Sequence, residues 1–169
     1  MLRAEIVLTV PGHPAPKGSL RCVGGRGGRG HTLIEDNPRT KPWRDTITRL
    51  ARRATQAAAK AQPVVVEATF TIPRPASHYR TGKHSETIRP AYVAALPTGR
   101  GSGDTDKLVR LVLDALQDAG ILPDDAQVVE VVGRKAFTLD PGAAEMVPDA
   151  MATPGARIRV YPFEGGVGL

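Results

Sequence analysis

Six aspartates, Asp104, Asp106, Asp114, Asp118, Asp124 and Asp125, crowd one short stretch of the chain. Carboxylates gathered against their own repulsion need a compensating cation or a solvated face. A hard divalent ion such as Mg²⁺ prefers carboxylate oxygens. Asp104 and Asp106 lie two apart, so an extended approach to a helix points both side chains the same way. A helix–turn–strand hairpin is then expected to bring Asp125 back beside them. Three converging carboxylates suit Mg²⁺, with Mn²⁺ as a substitute, because these ions keep several waters and accept phosphate oxygens. Such an ion polarises a phosphodiester and orients hydroxide for in-line attack. Lys107 and Arg110 lie within one helical turn and can stabilise the charge that builds on phosphorus. The same residues also admit a structural reading. Asp104 and Asp106 can be helix N-caps, and Arg110 is spaced to pair with Asp106 and Asp114. Asp114 and Asp118 fit a polar helix face, and Asp124 and Asp125 a turn after Pro123. Spacing alone leaves the two readings open.

Charge distribution adds to the first. Residues 1–103 carry 17 Lys and Arg against 6 Asp and Glu, while residues 104–130 carry 2 against 7, in a chain of net charge +6. A basic excess on one side of an acidic cluster suggests contact with nucleic acid, where Lys and Arg neutralise phosphates and release counterions. Part of it is compositional, since Arg, Ala, Gly and Pro are abundant together. The combination points to a nuclease. Aromatic residues make up 4% of the chain, which argues against base stacking as the binding mode. Cys22 is the only cysteine, so no disulfide or cysteine zinc site can form within one chain, and a cytoplasmic protein is expected. No apolar run is long enough for a membrane span, and Met1–Val10 lacks the pattern of a secretory leader.

The elements that must position these residues read as follows. Residues 1–169 form a single domain. Ala4–Val10 is a strand. Gly24–Gly30 is a mobile Gly/Arg loop. It matches the dinucleotide fingerprint at Gly25, Gly27 and Gly30, but no strand of useful length precedes it and Asp36-Asn37-Pro38 follows where a helix should run, so no organic cofactor is expected. Thr40–Ala61 is a helix, with Thr40 as its cap, Pro42 in its first turn and Trp43 as a core or entry anchor. Val64–Ile72 is a strand. Pro73–Gly103 is a long basic loop, in which His78 and His84 are read as solvated. Asp106–Ala119 is the strongest helix, with an apolar stripe through Leu108, Leu111, Val112, Ala115 and Leu116 and a stop at Gly120. Val128–Leu139 and Ala156–Phe163 are the last strands. This order predicts an α+β domain, a mixed β-sheet packed by two helices.

The run Gly103-Asp104-Thr105-Asp106-Lys107-Leu108-x-Arg110, then Leu113-Asp114-Ala115-Leu116, then Asp124-Asp125-Ala126-Gln127-Val128-Val129 resembles the RusA family of Holliday junction resolvases, in residues and in intervals. Arg74-Pro75-x-Ser77-His78-Tyr79-Arg80-Thr81-Gly82-Lys83 resembles the strand-exit loop of phage-type members, and Lys135 matches a basic position usual there. The likeness is good over residues 63–136 and loose at Pro14-x-Pro16-Lys17. It implies a homodimer with two metal-dependent acidic sites on a four-way DNA junction. Two strands are nicked symmetrically, leaving 5′-phosphate and 3′-hydroxyl ends, in DNA recombination and repair. It implies Asp104, Asp106 and Asp125 as metal ligands. Arg110 stands where the family has a catalytic lysine; a guanidinium keeps the charge but donates a proton reluctantly. Lys107 stands for a common asparagine and can supply the amine. The phosphate backbone is expected to be held by Lys17, Arg21, Arg44, Arg52, Arg74, Arg80, Lys83 and Lys135. Two other activities fit the same residues: a non-catalytic binder of branched DNA, and a nuclease for flaps or forks.

Overall fold

The computed structural model describes residues 6–18, 20–24, 31–35, 37–54, 62–140 and 146–165, with backbone only for 20–24 and 31–35. Its centre is a four-stranded mixed sheet in the order β1 (Ile6–Pro11), β6 (Gly155–Pro162), β4 (Val64–Ile72), β5 (Val128–Phe137). The pairs β1–β6 and β6–β4 are antiparallel, and β4–β5 is parallel. Helices α1 (Thr40–Ala54) and α2 (Thr105–Asp118) pack on the sheet. The α+β architecture expected from the sequence is therefore the one observed, and β4 spans the residues assigned to it. One element was missed. A separate two-stranded hairpin, β2 (Leu20–Gly24) and β3 (His31–Glu35), flanks the glycine loop. The loop itself, Gly25–Gly30, lies outside the described residues, as do Ala4, Glu5 and the expected helical residues 55–61.

Alternation along β4 divides the molecule into two faces. Val64, Val66, Ala68, Phe70 and Ile72 join Leu8, Val10, Ile158 and Val160 under the helices. Ile47 and Ala51 of α1 and Leu108, Leu111, Val112, Ala115 and Leu116 of α2 close that core. Trp43 is buried among them, as its anchoring role requires. Thr40, expected to cap α1, instead donates its hydroxyl to the Pro16 carbonyl at 3.0 Å. This ties the chain after β1 to the helix start.

The opposite face of the sheet is polar and ion-paired. Glu67 accepts from Arg134 at 2.6 Å and from the Tyr161 hydroxyl. The Tyr161 bond and the Arg134 guanidinium hold the Glu67 carboxyl below the usual range, and the same bond with burial pushes Tyr161 up to about 12. Arg159 grips Asp149 through two bonds of 2.7 Å, which lower its pKa. The segment around Asp149 covers this face: Thr69 donates to the Pro148 carbonyl and the Met151 amide donates to Thr71.

Two aspartates of α2 latch it to α1 and to the N-terminal segment. Asp118 accepts from Arg44 at 2.7 Å, and its carbonyl accepts from Arg52 at 3.0 Å. Asp114 accepts from Lys17 at 2.7 Å. Arg110 therefore does not pair with Asp114, because a lysine from the N-terminal segment has taken that carboxylate. The end of α2 follows from Gly120, whose φ of +76° lets the Ile121 amide reach back to the Leu116 carbonyl.

Candidate functional site

The β4–α2–β5 unit is a parallel crossover, so α2 runs back along the sheet between two strands of one direction. Its N-terminus rests on the middle of β5. A Cβ placed on Gly133 would lie 2.7 Å from Val109 Cγ2 and 2.9 Å from Thr105 Cγ2. Only glycine admits so close an approach. The segment leading into α2 is fixed from two further sides. Gly103 adopts φ +75° and ψ 159°, a conformation open to glycine alone. A Cβ there would lie 3.1 Å from Pro16 Cγ. Lys135 donates to the Gly103 carbonyl at 2.8 Å and to the Ser102 hydroxyl at 3.0 Å.

Asp104 and Asp106 stand at this junction. Asp104 occupies the N-cap position of α2, yet its side chain makes no capping hydrogen bond. Its carboxylate is 68% exposed and, among the described residues, meets only Lys107, at 3.2 Å. Asp106 is exposed in the first turn, and its carboxylate has no hydrogen-bond or ion-pair partner among the described residues. The capping role open to Asp104 is therefore not used. Arg110 is exposed and likewise unpaired among the described residues, so the expected pairing with Asp106 is absent.

Asp125 does not join them within one chain. The crossover sends the chain to the far end of α2 before β5 begins. The strand from Val128 to Gly133 spans about 17 Å at the usual pitch. Asp125 sits beyond Val128, in a short 3-10 turn, Asp125–Gln127. The expected hairpin convergence is thus replaced by separation along the strand. Accordingly, no group of three or more His, Cys, Asp or Glu able to hold a metal occurs among the described residues. Asp124 caps that turn, accepting from the Ala126 amide at 2.8 Å, whereas the exposed Asp125 carboxylate carries no such bond among the described residues. Two exposed carboxylates at a helix N-terminus do fit a Mg²⁺ ion, which is commonly held by one or two carboxylates, waters and substrate phosphate.

The cations expected on DNA divide into three groups. Arg80 and Lys83 are exposed on the basic loop. Lys17, Arg44 and Arg52 are exposed in part but are engaged with α2. Arg74 and Lys135 are turned inward. Arg74 donates to the Tyr92 carbonyl at 2.7 Å and lies 5.1 Å over the Phe137 ring. The Arg21 side chain lies outside the described residues. His78, read as solvated, instead stacks on Tyr92 with centroids 4.2 Å apart and meets the edge of Phe137. This cluster roots the basic loop on the ends of β4 and β5. Exposed His84 fits its expectation. Sequence reasoning missed a polar cleft lined by His13, Asn37, Arg39, Arg100, Gly101 and Gly103. The Arg39 and Arg100 guanidinium groups are exposed there without partners among the described residues. The cleft adjoins Asp104 through Gly103. Neither arginine had a spacing signal, because residues far apart in sequence meet there.

The family model for endodeoxyribonuclease RusA matches residues 11–146. No curated protein matches the chain. The match takes in both helices, β4, β5 and all five residues of the acidic and basic set, and the chain belongs to the RusA family. Membership implies endonuclease activity of the Holliday junction resolvase kind.

Proposed function

We propose that this RusA-family chain is a Mg²⁺-dependent, homodimeric endonuclease that resolves four-way DNA junctions by paired symmetric nicks in recombination and repair. The observation that carries the reading is the unused N-cap. Asp104 stands at the head of α2 without capping it, and Asp106 beside it is free among the described residues. Acids that serve stability are engaged in this molecule, as Asp114, Asp118, Asp124 and Asp149 are.

In the proposed reaction, water forms a bond to phosphorus as the bond to the 3′ oxygen breaks, leaving a 5′-phosphate and a 3′-hydroxyl. A bound Mg²⁺, or Mn²⁺ in its place, would polarise the phosphoryl oxygens and lower the pKa of the attacking water. Asp104 and Asp106 would hold it. Lys107, already beside Asp104, would bring an ammonium to the developing charge, and exposed Arg110 a second cation. Arg80 and Lys83 on the rooted loop, with Arg39 and Arg100 in the cleft, would hold the backbone of the branched substrate. The dimer gives Asp125 a place. β5 is an edge strand with Val129 and Val131 exposed. A second copy pairing antiparallel there would cover both valines and set its Asp125 end near the first copy's Asp104 end. Two sites about a twofold axis suit a junction of near-twofold symmetry.

The alternative of a non-catalytic DNA binder is separated by Asp106→Asn. On the nuclease reading this variant loses cleavage and keeps or gains junction affinity, because a charge repelling phosphate is gone. Cleavage at the wild-type rate by Asp106→Asn would refute the assignment.

A further inference from the structure

We infer that Lys135 is a positioning residue, whose ammonium fixes the Gly103–Asp104 backbone at the acidic site and does not itself grip DNA; this rests on the nuclease reading above. Its ammonium is turned onto the segment that enters α2. It bridges the Gly103 carbonyl at 2.8 Å and the Ser102 hydroxyl at 3.0 Å. Among the described residues no carboxylate pairs with it. Ser102 is buried, and its single hydroxyl hydrogen is aimed at the Pro97 and Gly99 carbonyls, 2.8 Å and 2.7 Å away. One lysine on the sheet thus joins, directly and through Ser102, Pro97, Gly99 and Gly103 of the loop end.

The arrangement answers a local weakness. Gly103 at φ +75° is the most permissive residue in a place that demands one conformation. Asp104 follows it directly, so freedom at Gly103 becomes freedom of the carboxylate. Pro16 blocks one side of Gly103. Lys135 holds the other through its carbonyl. A point-like ammonium with three N–H groups can serve two neutral oxygens at once, whereas the planar guanidinium fork is shaped for parallel acceptors. Position 135 therefore favours lysine over arginine for a reason unrelated to charge.

The test compares wild type with Lys135→Met, Lys135→Arg, Ser102→Ala and the Lys135→Met/Ser102→Ala double variant. It measures amide hydrogen exchange, junction affinity and the single-turnover cleavage rate. Exchange across residues 99–106 should rise about tenfold in Lys135→Met, as expected for lost local anchoring, with the rest of the sheet unchanged. Junction affinity should hold while the cleavage rate falls about 100-fold, the scale of a misplaced reacting group. Lys135→Arg should not restore the rate. The two single effects should fail to add in the double variant, because both act through one network. Ser102→Ala carries the same exchange test should Lys135→Met not fold. Unchanged exchange at 99–106 overturns the inference. So does weaker junction binding with an unimpaired rate, the pattern of a phosphate contact. A wild type that binds junctions and cleaves nothing would sink the nuclease reading, while the exchange data still decide whether Lys135 anchors Asp104.

Discussion

Replacing Gly133 by alanine should damage the site from beneath. The new methyl would lie 2.7 Å from Val109 Cγ2 and 2.9 Å from Thr105 Cγ2. Carbon atoms rest comfortably near 3.5–4.0 Å, so relief needs a shift of roughly 0.8 Å or more. Val109 is held near one first torsion in the helix and Thr105 is limited to two, so side-chain rotation relieves little of the clash. The first turn of α2 must lift from β5, carrying Asp104 and Asp106 with it. Overpacking of this kind costs about 1–3 kcal/mol. In a domain of this size each kcal/mol lowers Tm by about 2–4 °C. A Tm lower by roughly 2–12 °C is expected, from the product of those two ranges. A displacement near 1 Å at reacting groups costs on the order of 100-fold in rate. Cleavage should therefore fall far more than the small unfolded fraction explains. Gly99→Ala is the control, since Gly99 has φ −72° and nothing lies within 4 Å of its added methyl. The assay is a thermal melt beside single-turnover junction cleavage at a temperature where both variants are folded. A Gly133→Ala protein with wild-type Tm and rate would show that α2 does not bear on Gly133 as described.

The remaining acids should behave differently from Asp104 and Asp106. Asp114→Asn or Asp118→Asn should cost at most about 1 kcal/mol, the range of partly exposed ion pairs, and leave cleavage intact; urea unfolding and the junction assay check both. Arg39→Ala with Arg100→Ala should weaken junction binding and reduce the slope of log affinity against log salt by about 0.9 for each lost phosphate contact. An unchanged slope would remove the cleft from the DNA path. Acid stability should depend on the ion-paired face of the sheet. The Glu67 carboxyl sits below its ordinary 4.5, so its contribution is present above that pH and lost as pH falls through the lowered folded value. Asp149 acts with the same sign. Melts between pH 6 and pH 3 should show a shallower loss for Glu67→Gln with Asp149→Asn than for wild type, from a lower starting Tm.

Local pattern made much of the fold legible. The β-branched run of β4, bounded by Pro63 and Pro73, reads as the strand it is, and the apolar stripe of α2 matches its buried face. The hairpin was less visible, because Leu20–Gly24 and His31–Glu35 are each a single short run beside a glycine-rich stretch that dominates the reading. The place of Asp104 and Asp106 at the head of α2 was legible because a helix start is a local event. Asp125 was misplaced because it precedes β5. A strand that follows a helix through a short turn starts beside the helix's end, and only the middle of β5, at Gly133, returns to the helix start. Lys135 and Arg74 looked like surface cations, and His78 like a loop residue. Their partners lie on other segments, and no spacing rule records contacts between β5, β4 and the loop end.

Cleavage of a labelled mobile four-way junction, with linear duplex as control, in Mg²⁺ and in EDTA, tests the central proposal most directly. Paired symmetric nicks on the junction alone, lost in EDTA, are the predicted result. Tight junction binding with no cleavage in Mg²⁺ or Mn²⁺ would contradict it, and cleavage of flaps or forks in preference to junctions would reassign the substrate.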